Sequence, residues 1–261
     1  MPRTASRPIL TGWYVLSLRP LREHAAIRRQ ATRLGARCVA LSTLRLDALP
    51  AGAALRVALA CERVVVTSPA AVRAAAGQPG WRPRRGQAWF ALGAGSARAL
   101  GRAGVAMAQV RLPKEGHDSE AVLALPGLND VRGAAVGVLT APGGRGLLAR
   151  RLRQRGARLC VAETYRRVPL GAAPSRLRVL AALDDRGALL FTSDEALAPF
   201  WQALPAAERT RWLARPCVVA SDRLADRAHD LGFRTVLRAT APTPVALLDA
   251  LAVHVRDGRF R

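Results

Sequence analysis

Arg63-Val64-Val65-Val66-Thr67-Ser68-Pro69-Ala70-Ala71-Val72 is answered later in the chain by Ala188-Leu189-Leu190-Phe191-Thr192-Ser193-Asp194-Glu195-Ala196-Leu197. Each stretch is an apolar, strand-like run that ends in Thr-Ser and passes into an apolar, helix-like run. The two Thr-Ser pairs lie 192 − 67 = 125 positions apart, about half of the 261 residues, which marks a duplication. A strand ending in Thr-Ser at a helix start leaves backbone N–H groups free, and that end favours negative charge. The repeated words are therefore the ones suited to holding an anion.

Other segments extend the repeat. Trp13-Tyr14-Val15-Leu16-Ser17 followed by Leu34-Gly35-Ala36-Arg37-Cys38-Val39 matches Ala135-Val136-Gly137-Val138-Leu139-Thr140 followed by Arg155-Gly156-Ala157-Arg158-Leu159-Cys160, with the glycines 156 − 35 = 121 apart. Trp89-Phe90-Ala91-Leu92-Gly93-Ala94-Gly95-Ser96 matches Pro216-Cys217-Val218-Val219-Ala220-Ser221, and Gly104-Val105 matches Gly232-Phe233. Such offsets describe two copies of one α/β unit with small loop insertions; a solenoid would show several shorter periods.

Composition narrows the class. Half of the residues are apolar, as in a globular chain. No apolar run approaches the roughly 20 residues that cross a bilayer. The basic start, Met1 to Arg7, is not followed by a secretory apolar region, since Trp13–Leu18 is too short for one. Cys38, Cys61, Cys160 and Cys217 lack metal spacing, and Cys38 and Cys160, at equivalent strand positions of the repeat, read as buried free thiols; the compartment is therefore reducing, and a cytoplasmic protein is expected. The formal charge of +23 is nearly all arginine, Lys114 being the one lysine. Genomic bias and a polyanionic ligand account for that excess equally well. Nucleic acid is not expected as the polyanion: no basic run is interleaved with aromatics, and no nucleic-acid-binding signature is present.

Strand candidates are Trp13–Ser17, Cys38–Leu41, Arg63–Thr67, Trp89–Leu92, Ala135–Leu139, Leu159–Val161, Ala188–Phe191 and Cys217–Ala220. Helix candidates between and after them are Arg22–Leu34, Pro69–Ala76, Ser96–Gly101, Ser119–Leu125, Gly146–Arg155, Glu195–Leu204, Arg223–Leu231 and Val245–Val255. This alternation predicts α/β structure with parallel sheets covered by helices on both faces. Ser68 is placed to cap a helix that Pro69 opens, and Ser193 one with Asp194 and Glu195 in its first turn. Those two carboxylates fill the anion-favouring end, which makes the second turn the weaker anion site. Val39–Leu49 and Val161–Leu170 are extended and lie at equivalent points of the two copies. As crossovers they divide the chain into lobe 1 (1–40 with 169–261) and lobe 2 (47–160), with linker strands at 41–46 and 161–168.

Ser17-Leu18-Arg19-Pro20, Thr67-Ser68-Pro69-Ala70-Ala71-Val72, Leu92-Gly93-Ala94-Gly95-Ser96-Ala97, His117-Asp118-Ser119-Glu120, Glu163-Thr164-Tyr165-Arg166-Arg167 and Thr192-Ser193 come in this order. Together they resemble the uroporphyrinogen-III synthase family, and the likeness runs from Trp13 to about Leu251. The resemblance implies two flavodoxin-like lobes joined by a two-stranded linker, with the active site in the interdomain cleft. It implies the polycarboxylate hydroxymethylbilane as small-molecule substrate, cyclised to uroporphyrinogen III, with no metal or organic cofactor. Tyr165 matches the family's tyrosine, which assists the leaving hydroxyl and is the expected catalytic residue. Thr67, Ser68, Thr192 and Ser193 match the family's cleft Thr/Ser residues. Ser96 stands at a Gly-x-x-Thr position, with Ser221 as its counterpart in the second copy. The family's Thr-Arg-Pro reads Leu18-Arg19-Pro20 here, without the hydroxyl.

Arg19 and Arg145 follow expected strands near helix starts, where a guanidinium meets a carboxylate well; two exposed arginines are the plain alternative. Tyr165 as an interface-filling aromatic, and the Thr-Ser pairs as helix caps alone, are the plain alternatives for the other sites. Gly143-Gly144-Arg145 lacks the Gly-Lys-Ser/Thr of a phosphate loop, and His117-Asp118 has no nucleophile beside it. His229 and His254 read as surface residues. The doubled frame also suits a non-enzymatic two-lobed sensor of a small polycarboxylate, but such a sensor needs an effector module. A monomeric enzyme, independent of membranes, is the expectation.

Overall fold

The structure is a computed structural model that describes residues 7–114, 116, 119–143, 146–171 and 174–258. The chain divides into two compact units, Met1–Arg45 with Val168–Arg261, and Leu46–Arg167.

The first unit holds β1 (Tyr14–Ser17), α1 (Ala25–Arg33), β2 (Arg37–Ala40) and the start of β3 (Leu44–Ala48). The second continues with α2 (Gly52–Ala60), β4 (Arg63–Val66), α3 (Pro69–Ala76), β5 (Ala88–Ala91), α4 (Ala94–Arg102) and β6 (Val110–Arg111). It is completed by α5 (Ser119–Leu123), β7 (Ala135–Thr140), α6 (Leu147–Gln154), β8 (Arg158–Glu163) and most of β9 (Tyr165–Pro169). The chain then returns to the first unit through α7 (Pro174–Ala181), β10 (Gly187–Leu190), α8 (Asp194–Ala203), α9 (Ala206–Leu213), β11 (Cys217–Val219), α10 (Asp222–Asp230), β12 (Val236–Arg238) and α11 (Pro244–Arg256). β3 and β9 pair as a two-stranded sheet where the chain passes between units.

Among the described residues each unit has one five-stranded parallel sheet, ordered β12-β11-β10-β1-β2 and β6-β5-β4-β7-β8. The repeat aligns β1 with β7, β2 with β8, and β4, β5 and β6 with β10, β11 and β12. With strands matched this way, the two sheets have the same spatial order. Each unit therefore takes two strands from one copy and three from the other.

Strand alternation explains why these runs are apolar throughout. Val64 and Val66 enter a core with Leu55, Ala58, Val72 and Trp89, while Val65 enters another with Phe90, Val136, Val138 and Leu152. In the first unit, Leu16, Leu189, Phe191 and Val219 share one core, and Val15, Ala188, Leu190 and Val218 the other. Side chains alternate between faces along a strand, so a strand covered on both sides needs no polar residue.

α2, α7 and α9 are absent from the sequence expectation. α2 starts at Ala51 with no side-chain cap and no acidic residue in its first turn. The Ala51 amide is instead bonded by Gln78 Oε1 at 2.8 Å, from 27 residues away. α2 packs closely on β7, where a Cβ at Gly137 would run into the Ala58 carbonyl. Two cysteines also differ from expectation: Cys38 and Cys160 are half-buried, not buried, because they lie on the edge strands β2 and β8; Cys61 and Cys217 are buried. His254 is 8% exposed in α11, contrary to a surface position, whereas His229 is exposed. Among the described residues no helix is long and apolar enough to cross a membrane.

Candidate active site

In the second unit, β4 hands over to Thr67 and Ser68, and Ser68 is extended (φ −163°, ψ 159°) as the N-cap of α3. Its Oγ accepts from the Ala71 amide at 3.1 Å, and Pro69 occupies the first turn, where the missing N–H costs nothing. The cap uses the Ser68 oxygen as an acceptor and leaves its hydrogen free, and the hydroxyl donates to Tyr165 Oη at 3.1 Å.

Tyr165 opens β9 and is 3% exposed. The preceding residue anchors it: Thr164 Oγ1 donates to the Ala71 carbonyl at 3.0 Å. Arg167 lies two residues along the strand, on the same face. Its Nη2 donates to Tyr165 Oη at 3.3 Å, and its guanidinium carbon stands 5.6 Å from the centre of the ring. The phenol oxygen thus receives one neutral and one cationic donor.

Arg167 also borders a cavity of about 420 Å³ at the C-terminal ends of the strands, together with Thr67, Thr140, Glu163, Glu120 and Arg153. Thr67 Oγ1 lies 3.1 Å from Thr140 Oγ1 and 3.3 Å from the Leu139 carbonyl. Ligands of open α/β sheets bind at this edge. Ser96 belongs to this unit, but its side chain is buried in the first turn of α4. That turn approaches Pro69, whose Cγ would be 3.2 Å from a Cβ at Gly95. Arg145 and the His117-Asp118 pair lie outside the described residues.

Four of the expected residues follow strand ends of the first unit. Ser193 caps α8 by accepting from the Ala196 amide at 3.1 Å, and Thr192 beside it is half-buried. Asp194 in the same turn pairs with Arg227 Nε at 3.1 Å. Ser221 is the extended N-cap of α10 but makes no cap bond through its side chain. Arg19, after β1, donates from Nη2 to the Pro242 carbonyl at 3.1 Å. Its Nε is buried with no hydrogen-bond partner. Burial pulls its guanidinium below the ordinary range, with Glu23 opposing.

Two further features of the site have little mark in the sequence. Arg167 is one arginine among 40, and its two-residue spacing from Tyr165 on a strand is the one signal that sets it apart. His24 is buried between Ser17 Oγ (3.0 Å) and Ser42 Oγ (2.8 Å), residues separated in sequence and gathered by the fold. Among the described residues no group of three His, Cys, Asp or Glu side chains stands ready to hold a metal ion.

The repeat has a counterpart of the Tyr165 corner. Thr43 Oγ1 donates to the Ala196 carbonyl at 2.6 Å, as Thr164 does to Ala71. Leu44 then opens β3 where Tyr165 opens β9, and Leu46 stands at the place of Arg167.

A family model described as uroporphyrinogen-III synthase HemD matches residues 25–249. The uroporphyrinogen-III synthase of Salmonella typhimurium is 35% identical over 168 residues, and that of Escherichia coli 30% over 164. Each of these alignments takes in 62% of this chain and 66% of the relative, just short of two thirds of its length. Among solved structures, a uroporphyrinogen-III synthetase of Helicobacter pylori superposes with a TM-score of 0.61 at 15% identity, covering 94% of this chain and 100% of that one. A mutant uroporphyrinogen III synthase of Thermus thermophilus gives 0.59 at 21% identity, covering 94% and 99%. At these identities the structures speak for the two-domain α/β fold.

Proposed function

Because the chain belongs to the uroporphyrinogen-III synthase family, we propose that it is a lyase that cyclises hydroxymethylbilane to uroporphyrinogen III, with loss of water and inversion of ring D. The observation that carries this reading is the Tyr165 hydroxyl, bonded by Ser68 and by the cavity-lining Arg167. A proton passes from Tyr165 to the hydroxyl on ring A. The C–O bond breaks with its electrons going to oxygen, water leaves, and an azafulvene remains. The substituted carbon of ring D attacks it, and the spiro intermediate rearranges. Loss of a proton as the last ring closes restores Tyr165.

Beyond that proton the protein chiefly has to position ring D, and positioning can supply on the order of 7–11 kcal/mol at best. The substrate's carboxylates need many donors, and the backbone N–H groups at strand ends and helix starts are donors of that kind. Arg19, Thr67, Ser68, Ser96, Arg145, Thr192, Ser193 and Ser221 are the substrate-binding residues of this proposal. Its lobes are 1–40 with 169–261, and 47–160, with 41–46 and 161–168 as linker strands. The enzyme works as a cytoplasmic monomer in tetrapyrrole biosynthesis.

The test is to supply hydroxymethylbilane, oxidise the product and separate isomers I and III. Isomer III is expected; isomer I alone, the product of spontaneous closure, overturns the proposal. Tyr165→Phe should lower kcat by roughly a hundredfold or more, the typical share of a general acid, while leaving the circular dichroism spectrum unchanged.

A further inference from the structure

The phenol oxygen of Tyr165 can accept hydrogen bonds through its lone pairs and donate one through its own hydrogen. Its acceptor side is already engaged, by the Ser68 hydroxyl at 3.1 Å and Arg167 Nη2 at 3.3 Å. The capacity left is that of a donor. Neither partner is placed by chance. The Ser68 oxygen is anchored by the Ala71 amide, which leaves its hydrogen available to the phenol, and Thr164 ties the start of β9 to the same helical turn. Arg167 is exposed, yet its guanidinium lies against the ring rather than extending into water.

The internal repeat supplies an independent comparison. In the first unit the threonine-to-carbonyl tie and the capping serine are both kept, by Thr43 with Ala196 and by Ser193. The tyrosine and the arginine are both absent there, replaced by Leu44 and Leu46. The same scaffold thus stands in the first unit with leucine at both positions, so neither polar residue is needed to build it.

We propose that Arg167 is a positioning residue for the cyclisation, acting with Ser68 through Tyr165. The two hold the phenol so that its only free function is proton donation, and they face the oxygen that becomes negative when the proton leaves for the departing hydroxyl. When the proton released on ring closure returns, the phenol is restored with both bonds intact. The inference rests on the function proposed above. It also changes the role of Ser68, from a substrate ligand to part of the acid.

Arg167→Met, Arg167→Lys and Tyr165→Phe, singly and as Arg167→Met with Tyr165→Phe, would be assayed with hydroxymethylbilane. Arg167→Met should lower kcat roughly ten- to a hundredfold, the worth of one charge-assisted hydrogen bond, with KM nearly unchanged. Arg167→Lys should recover part of the loss. In the Tyr165→Phe background Arg167→Met should change kcat no further, because the group through which it acts is gone. A raised KM with kcat held would make Arg167 a carboxylate ligand and overturn the proposal, as would losses that simply multiply.

A readout free of catalysis is available because Tyr14 and Tyr165 are the two tyrosines. In protein labelled with 13C at tyrosine Cζ, Arg167→Met should shift the signal that Tyr165→Phe removes and leave the other in place. No shift would overturn the contact itself. Wild-type protein yielding isomer I alone overturns the function and this inference together. Normal catalysis by wild type and Arg167→Met, with an impaired Tyr165→Phe, overturns this inference alone.

Discussion

Thr67-Ser68 and Thr192-Ser193 share their letters and their cap but differ in what lies beyond it. Both serines are extended and accept from the amide three residues on, at 3.1 Å in each case. Beyond the cap, Ser68 donates to the phenol that opens β9, while the position matching that phenol in the other unit is Leu44. The second turn carries Asp194, held by Arg227. A side-chain cap is made between near neighbours in sequence, so both copies can keep it whatever surrounds the turn. The chemistry attached to it depends on a neighbour from another strand and was free to diverge.

The largest effect should come from the strand glycines. Gly137→Ala drives a methyl into the backbone carbonyl of Ala58, which cannot swing aside, so the second unit should lose several kcal/mol or fail to fold. Gly187→Ala in the first unit meets the end of the Tyr14 ring, a side chain, and should cost about 1–3 kcal/mol. Chemical denaturation followed by tryptophan fluorescence separates the two outcomes. Equal costs would show that β7 is not the more tightly covered strand.

Next come the capping serines. Ser68→Ala and Ser193→Ala should each cost about 1 kcal/mol of stability through the lost cap. Ser68→Ala alone should also lower kcat, by several-fold, through its bond to Tyr165. Matching kinetics for the two variants would erase the distinction drawn between the turns.

Alkaline pH tests burial in the two units. Desolvation holds Tyr14 at about 12 instead of 10.0, and Cys217 at about 12 instead of 9.0, in the first unit. In the second it acts with Cys160 to hold Cys61 at about 12. These groups stay protonated in the native chain while the unfolded chain releases its protons from about pH 9–10 upward. Their contribution is therefore complete below that range and lost as the pH rises towards 12. Tyr14→Phe should flatten the loss above about pH 10, as followed by thermal melts across the pH series. An unchanged slope would mean that the Tyr14 phenol does not feel its burial.

The smallest effect is expected for Asp194→Asn. Asp194 and Arg227 are each about two-fifths exposed, so solvent screening limits the pair, and its loss should shift stability by less than about 1 kcal/mol. A larger shift in the melting temperature would make the acidic turn a structural element of the first unit.

Much of the fold was legible in the chain because its signals are local. Val64-Val65-Val66 must be a strand covered on both faces, Ser68 and Ser193 must cap, and the matched runs demand matched strands. α2 escaped because its N-cap amide is bonded by Gln78, 27 positions away, and no periodicity reports such a bond. Cys160 reads as buried but is half-buried, because nothing in its strand tells an edge position from a central one.

The site divides in the same way. Tyr165 and the Thr-Ser pairs stand out as residue types in place. The bond between Ser68 and Tyr165 joins positions 97 residues apart, and His24 meets Ser42 only after β2 has returned along β1. Residue type, spacing and repetition are properties of neighbours along the chain, so they can be read from it. Which hydroxyl faces which phenol depends on how strands from the two copies are combined in one sheet, and that is settled by packing.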